Sequence, residues 1–321
     1  MAQYADAVYR VGYQGYLAYL AETAKVLTPA SEADPSEQTC TSVAGYIEKP
    51  QHQTTEGLQE IDAVGEMRTV TTVVGRRESS VGTRVLVADG TFLEYAVRDH
   101  ATPTGAGTVH GLPLLALEYG AATDWGYGYA RQGIDCLFNG LRLQYAENQP
   151  VVATVDVWPE CVIEATGQAA STPTAAILHW CHCSWTIGGT DYYPIMAGYT
   201  LNIANGLQRV GMRKQFGAVG SELAISRTPL KIQPTLEKLQ TQLRLRDKLP
   251  AELKGTDDWG VLTVRAEEPG SGAGRQYLEI SIDHNLLNNN VGEQAPAGQL
   301  LMWSVTPLSY VITIDAGVTA S

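Results

Sequence analysis

The densest group of reactive side chains in the sequence is His179-Trp180-Cys181-His182-Cys183. Thiols and imidazoles at close spacing are the raw material of zinc sites and of nucleophilic catalysis. On an extended strand His179, Cys181 and Cys183 share one face, and Trp180 and His182 the other. Zinc usually takes paired ligands from two separated segments, and no second Cys/His cluster occurs in the chain. His179, Cys181 and Cys183 are therefore candidate metal ligands short of partners. The competing reading makes the thiols small apolar core residues. No metal and no cofactor is expected.

Other chemistry-bearing patterns are thinner. Gly270-Ser-Gly272-Ala-Gly274 imitates a phosphate loop, but it falls between two strand-like runs with no helix to follow. It is expected to be a hairpin loop. Asp257-Asp258 and Glu267-Glu268 are adjacent acids, and neighbours on an extended chain point to opposite faces, so neither doublet converges on one substrate. The six histidines are scattered without a nucleophile motif, and no G-x-S-x-G, H-E-x-x-H or Walker pattern occurs. The expectation is a protein that is not an enzyme.

The elements that would position these residues are mostly strands. Apolar and polar residues alternate over Tyr199-Thr200-Leu201-Asn202-Ile203 and again over Glu222-Leu223-Ala224-Ile225-Ser226. Asn205-Gly206 between them suits a tight turn. Pro234 fits a first helical turn, and Leu236, Leu239 and Leu243 recur at helical spacing, which predicts an amphipathic helix at about 235–249, its Leu face covering a sheet. Strands are expected at 67–75, 83–87, 92–97, 134–143 (broken by Asn139-Gly140), 151–158, 161–165, 177–187, 191–196, 260–266, 276–283, 300–305 and 310–315. Residues 4–27 are read as extended, because Gly12 and Gly15 each cost a helix about 1 kcal/mol relative to Ala. Residues 28–60 are polar and Pro-containing and are read as a long loop or arm. The division is then an N-terminal β-rich part over 1–125 and a β-sandwich over 126–321. The strand-turn sequence Asn139-Gly140-Leu141 is echoed by Asn205-Gly206-Leu207.

With 321 residues, 44% apolar and 17% charged, the chain has the composition of a folded globular protein. No secretory pattern and no run near the ~20 apolar residues of a spanning helix is found, so synthesis and folding in the cytosol without a membrane step are expected. Five cysteines at irregular spacing give no disulfide framework. The net charge of −12 argues against a general nucleic-acid binder. Its distribution is uneven. Residues 209–254 hold ten basic and four acidic residues, an excess of six positive charges, and the rest of the chain carries −18. Opposed surfaces permit one copy to dock on another, which makes Arg209, Arg213, Lys214, Lys238, Arg244, Arg246 and Lys248 candidate subunit-interface residues. The alternative is that these charges are merely solvated faces.

Residues 125–316 resemble the tail tube (major tail) proteins of long-tailed bacteriophages. The likeness is carried by the run from Tyr129 through Cys136-Leu-Phe-Asn139-Gly140-Leu141 to Leu143, with Glu147 to Val157 after it. It continues in Ser184-Trp-Thr-Ile-Gly-Gly-Thr-Asp and in Ala197-Gly-Tyr-Thr-Leu-Asn-Ile-Ala-Asn-Gly-Leu. Strand, Leu-rich helix and strand over 222–266, Leu278-Glu-Ile-Ser-Ile-Asp, and Tyr310-Val-Ile-Thr-Ile complete it. The resemblance implies a mainly β protomer, a sandwich or barrel with one flanking amphipathic helix. It further implies six-fold or pseudo-six-fold rings of this chain, stacked into a hollow virion tail tube assembled in the host cytoplasm. Other tail proteins would be partners, and DNA would pass through the lumen without specific binding. Two rivals remain: a decoration or surface-binding β-sandwich, and a β-rich hydrolase with convergent carboxylates.

Overall fold

The computed structural model describes residues 15–26, 36–47, 51–62, 69–97, 106–109, 111–121, 129–166, 175–191, 196–211, 221–225, 235–242, 261–270, 273–283, 286–294, 302–308 and 311–319. Strands dominate. The first are β1 (Gly15–Ala21), β2 (Ser42–Val43), β3 (Tyr46–Ile47), β4 (Gln51–Asp62) and β5 (Thr69–Leu86). A 3-10 helix over Thr91–Ala96 precedes β6 (Thr108–Val109), β7 (Leu112–Pro113) and β8 (Leu115–Ala121). Next come β9 (Tyr129–Ala146), β10 (Val152–Trp158) and β11 (Cys161–Ala165). A one-turn 3-10 helix over Trp180–His182 leads into β12 (Cys183–Ile187) and β13 (Thr190–Asp191). The chain continues through β14 (Met196–Ala204), β15 (Leu207–Gly211), β16 (Ser221–Ile225) and β17 (Thr235–Gln242). It closes with β18 (Leu262–Glu267), β19 (Gln276–Asp283), β20 (Leu286–Gln294), β21 (Met302–Leu308) and β22 (Val311–Val318).

The eighteen-residue β9 organises the larger sheet. Its first half lies between β8 and β11, and its second half between β10 and β14. Where the partners change, Leu117 pairs with Gly133 but Leu115 with Cys136, so β9 carries one extra residue. This is a β-bulge, the usual device by which a strand bends from one sheet into another. Asp135 takes φ = +50° there, a left-handed conformation that Asp tolerates better than most residues. Gly133 is required by crowding: a Cβ would stand 2.8 Å from both Cys136 Sγ and Pro159 Cβ.

Beyond β14 the sheet runs through β17, β21 and β20. A second, five-stranded sheet in the order β13-β12-β18-β19-β22 shares one apolar core with it. Along β18, Leu262, Val264 and Ala266 are buried while Thr263, Arg265 and Glu267 are half-buried, the alternation of a strand with one core face. The sheets meet through aromatic rings. Trp185 of β12 sits edge-on to Tyr145 of β9 (5.9 Å, 71°) and to Tyr199 of β14 (5.4 Å, 80°). Such contacts add about 0.5–1.5 kcal/mol each beyond area burial.

Several expectations are corrected. The 235–249 segment does not begin as a helix: residues 235–242 form strand β17 between β14 and β21, and 243–249 lie outside the described residues. The reason is a register shift at Glu237, which sets Leu236 opposite Leu201 and Leu239 opposite Tyr199. A spacing of three, which imitates a helix face, thereby meets two residues of one strand face. Residues 92–97 are largely 3-10 helix, not strand. Asp89 Oδ1 accepts from the Thr91 N–H (3.0 Å) and hydroxyl (2.7 Å), which turns the chain before the apolar run. That run then buries Phe92 and Tyr95 against Tyr19. The helix also caps an edge: Glu94 Oε1 accepts the Ala316 N–H of β22 at 2.8 Å. The polar 28–60 segment contains β2, β3 and most of β4, and 69–75 and 83–86 belong to the single strand β5.

Asn139-Gly140 does not break β9, because Gly140 is paired on both sides, to Asp156 and to Ala204. Asn205-Gly206 does end β14, with φ = +60° at Gly206. The two echoed motifs touch. The Asn205 N–H donates to Asn139 O (2.8 Å), and the Leu207 N–H donates to Asn139 Oδ1 (3.1 Å). The Asn205 side chain, 1% exposed, donates to Ala96 O (3.0 Å) and Phe138 O (2.8 Å). Asn205→Ala leaves both buried carbonyls without that donor and is expected to lower stability by about 1–3 kcal/mol. Urea unfolding checks this, and an unchanged midpoint at unchanged slope refutes it.

Candidate functional site

The 179–183 cluster is not one strand face. His179 is extended, Trp180–His182 make a 3-10 turn, and β12 starts at Cys183. The turn forms because the His179 ring caps it: Nδ1 accepts the Cys181 N–H at 3.3 Å. A nitrogen that accepts a backbone N–H carries no proton itself. The Cys181 thiol, 3.1 Å from the same Nδ1, is accordingly the donor in that contact. Cys183 behaves differently. It is buried, its Sγ lies 3.6 Å from His179 O, and burial pushes its thiol up to about 12. Thus His179 and Cys181 are brought together at the surface, and Cys183 is turned inward. Of the two thiols, only that of Cys181 is open to solvent. Among the described residues no group of three or more His, Cys, Asp or Glu side chains is placed to hold a metal ion.

A second constellation, absent from any motif, surrounds the β9 bulge. Glu22 follows β1, and its carboxylate accepts the Asp135 N–H (3.1 Å to Oε2, 3.4 Å to Oε1). In return Asp135 Oδ1 accepts the Val26 N–H at 2.7 Å. Beside them Lys25 pairs with Glu160 at 3.0 Å. Glu22 and Asp135 are 3% and 1% exposed. Burial first, and the neighbouring Asp135 charge second, push the Glu22 carboxyl up to about 8. The same sheet buries Glu118, which accepts the Tyr16 hydroxyl at 2.6 Å. Gln132 copies a strand partner, exchanging two hydrogen bonds with the Gln38 backbone (2.7 and 2.6 Å). These acids are buried and turned to backbone and hydroxyl donors of the chain itself, closed off from any substrate.

Sequence reasoning missed this group because Glu22 and Asp135 lie 113 residues apart. The available signal was an acid between Ile134 and Cys136, inside an apolar strand pattern.

Of the candidate interface residues, Arg209 lies in β15 opposite Leu223, and Lys238 in β17 opposite Thr200. Arg213, Lys214, Arg244, Arg246 and Lys248 fall outside the described residues, as do Asp257-Asp258. Glu267 and Glu268 do diverge. Glu267 pairs with Arg265 (2.6 Å) and Arg275 (2.8 Å), whereas Glu268 accepts the N–H groups of Ala176 and Gln276. The glycine run is the hairpin loop between β18 and β19, with φ = +129° at Gly270 and +85° at Gly274.

No family model matches the chain, and no curated protein matches it. Among the described residues no helix is long and apolar enough to cross a membrane.

Cys181 is exposed, Cys161 half-buried, and Cys40, Cys136 and Cys183 are buried. A maleimide added to the native protein is expected to label Cys181 first, as read by peptide mass spectrometry. Prior labelling of a buried cysteine would contradict the arrangement.

Proposed function

We propose that this chain is a structural virion protein that assembles with its own copies into stacked rings, forming the hollow tail tube of a long-tailed bacteriophage. The observation that carries this reading is the β4–β5 ribbon. In β5 the stretch Val81–Leu86 is paired with β10, but from Ser80 back to Thr69 its strand pairing among the described residues is with β4 alone. A paired stretch of about ten residues is on the order of 35 Å long. A two-stranded ribbon is marginal in water, and strand edges are templates for further pairing. Such a ribbon is completed by a neighbouring molecule, and in a homo-oligomer that neighbour is another copy.

Three further features support the reading. The antiparallel sheets around one apolar core fit the mainly β protomer that the sequence resemblance implies, without its flanking helix among the described residues. The basic 209–254 stretch within an acidic chain supplies complementary faces for copies to meet. An acidic remainder lining a lumen would repel DNA and keep it from adhering during passage. No catalytic role is assigned.

Electron microscopy of the purified full chain is expected to show rings or tubes. Replacing residues 56–76 by a short Asn-Gly turn should abolish them while leaving the circular dichroism of the sandwich in place. Arg244→Glu with Arg246→Glu should weaken assembly, most at low salt. A wild-type chain that stays monomeric at high concentration with tail-tip components present would overturn the reading. Binding to virions or cells without polymerisation would instead indicate a decoration or receptor-binding protein.

A further inference from the structure

We infer that the junction between the Glu22–Val26 segment and the β9 bulge is a pH-operated latch, closed while Glu22 and Asp135 share a proton and opened when both are ionised.

The geometry is reciprocal. Glu22 binds the backbone of the bulge through the Asp135 N–H, and Asp135 binds the backbone of the segment through the Val26 N–H. On its other side the segment is fastened to the chain before β8. The Gly107 N–H donates to Glu22 O at 2.6 Å, and the Glu22 N–H donates to Leu114 O at 3.2 Å. The approach there is close: a Cβ on Gly107 would lie 2.4 Å from Thr23 O. Residues 22–26 are thus held between the bulge and the 106–107 backbone, with two carboxyl groups at the clasp.

The groups facing Glu22 come from every neighbouring element. Asp135 of β9 stands against it, and Glu160, from the turn before β11, is engaged by Lys25. The thiols of Cys136 in β9 and Cys40 before β2 are close enough to feel its charge. Glu118 of β8 is the other buried acid of the region, held by Tyr16. Lys25 is engaged by Glu160, and a second negative charge at the clasp meets Asp135 in a site shielded from water. Such a pair strongly resists double ionisation.

With the proton in place, the Glu22 O–H is donated to the Asp135 carboxylate. When it leaves, it passes to water, and the two carboxylates repel one another until the 22–26 segment swings out and Glu22 is hydrated. Because the folded carboxyl titrates near 8 against 4.5 when released, the closed state holds its proton throughout that window. The stabilisation is complete below 4.5 and is lost as pH rises towards and through 8.

The test is hydrogen exchange of the full-length protein at pH 6 and pH 9, corrected for the intrinsic pH dependence of exchange. For wild type, linkage between these two ionisation values predicts a roughly hundredfold loss of protection at the Val26, Gly107 and Asp135 amides. Glu22→Gln, whose amide can still donate to Asp135 and accept its N–H, should show no such loss. Equal protection of wild type at both pH values overturns the latch, and so does the same loss in Glu22→Gln. If that variant does not fold, the infrared carboxyl band of the wild type decides. A protonated carboxyl that disappears near pH 8 supports the latch, and one already gone by pH 6 overturns it.

Discussion

One strand has to serve two sets of partners, and most of the described structure follows from how β9 does it. A straight eighteen-residue strand cannot pair with β8 and β11 at one end and β10 and β14 at the other unless it bends between them. The bend costs an extra residue, a left-handed backbone at Asp135, and an interrupted ladder whose amide is buried. A buried N–H without a partner costs about 1–3 kcal/mol, so the bend needs an acceptor brought from elsewhere. Glu22 is that acceptor. It arrives at the end of β1, which β8 holds in register over seven residue pairs.

Two further contacts fasten what the bend separates. Tyr145, Tyr199 and Trp185 lock the second half of β9 to the five-stranded sheet through ring edges. Asn205 ties the end of β14 to β9 and to the last residue of the Thr91–Ala96 helix with two hydrogen bonds from a single amide. Asp135, Tyr145 and Asn205 thus act at three places along one strand or its immediate neighbour. A volume change at Tyr145 reaches both sheets, because its ring packs on Trp185 and interiors are close-packed.

The antiparallel β class was legible from alternation alone, as Leu262, Val264 and Ala266 illustrate, and so was the hairpin loop at 270–274. What misled was local imitation. Leu236 and Leu239 sit three apart because a register shift absorbs Glu237, not because a helix turns them to one side. Phe92 and Tyr95 read as strand, but the Asp89 carboxylate turns the chain before the apolar run starts. Asn139-Gly140 has turn chemistry and stays extended, since partners on both sides outweigh a two-residue preference. In the candidate site, His179 and Cys181 were visible as a pair, although their geometry comes from a capped turn. Glu22 and Asp135 could not be paired by eye, because only the fold brings them together.

The carboxylate of Glu94 on the Ala316 amide has a consequence for solubility. A sheet that ends in an open edge is a template for runaway stacking, and among the described residues β22 ends the five-stranded sheet. Here one of its amides is already taken, and it is taken by a fixed negative charge from the same molecule. An incoming strand would have to displace that charge and leave it unsolvated. The guard is built into the fold itself, set by a contact between residues 222 positions apart.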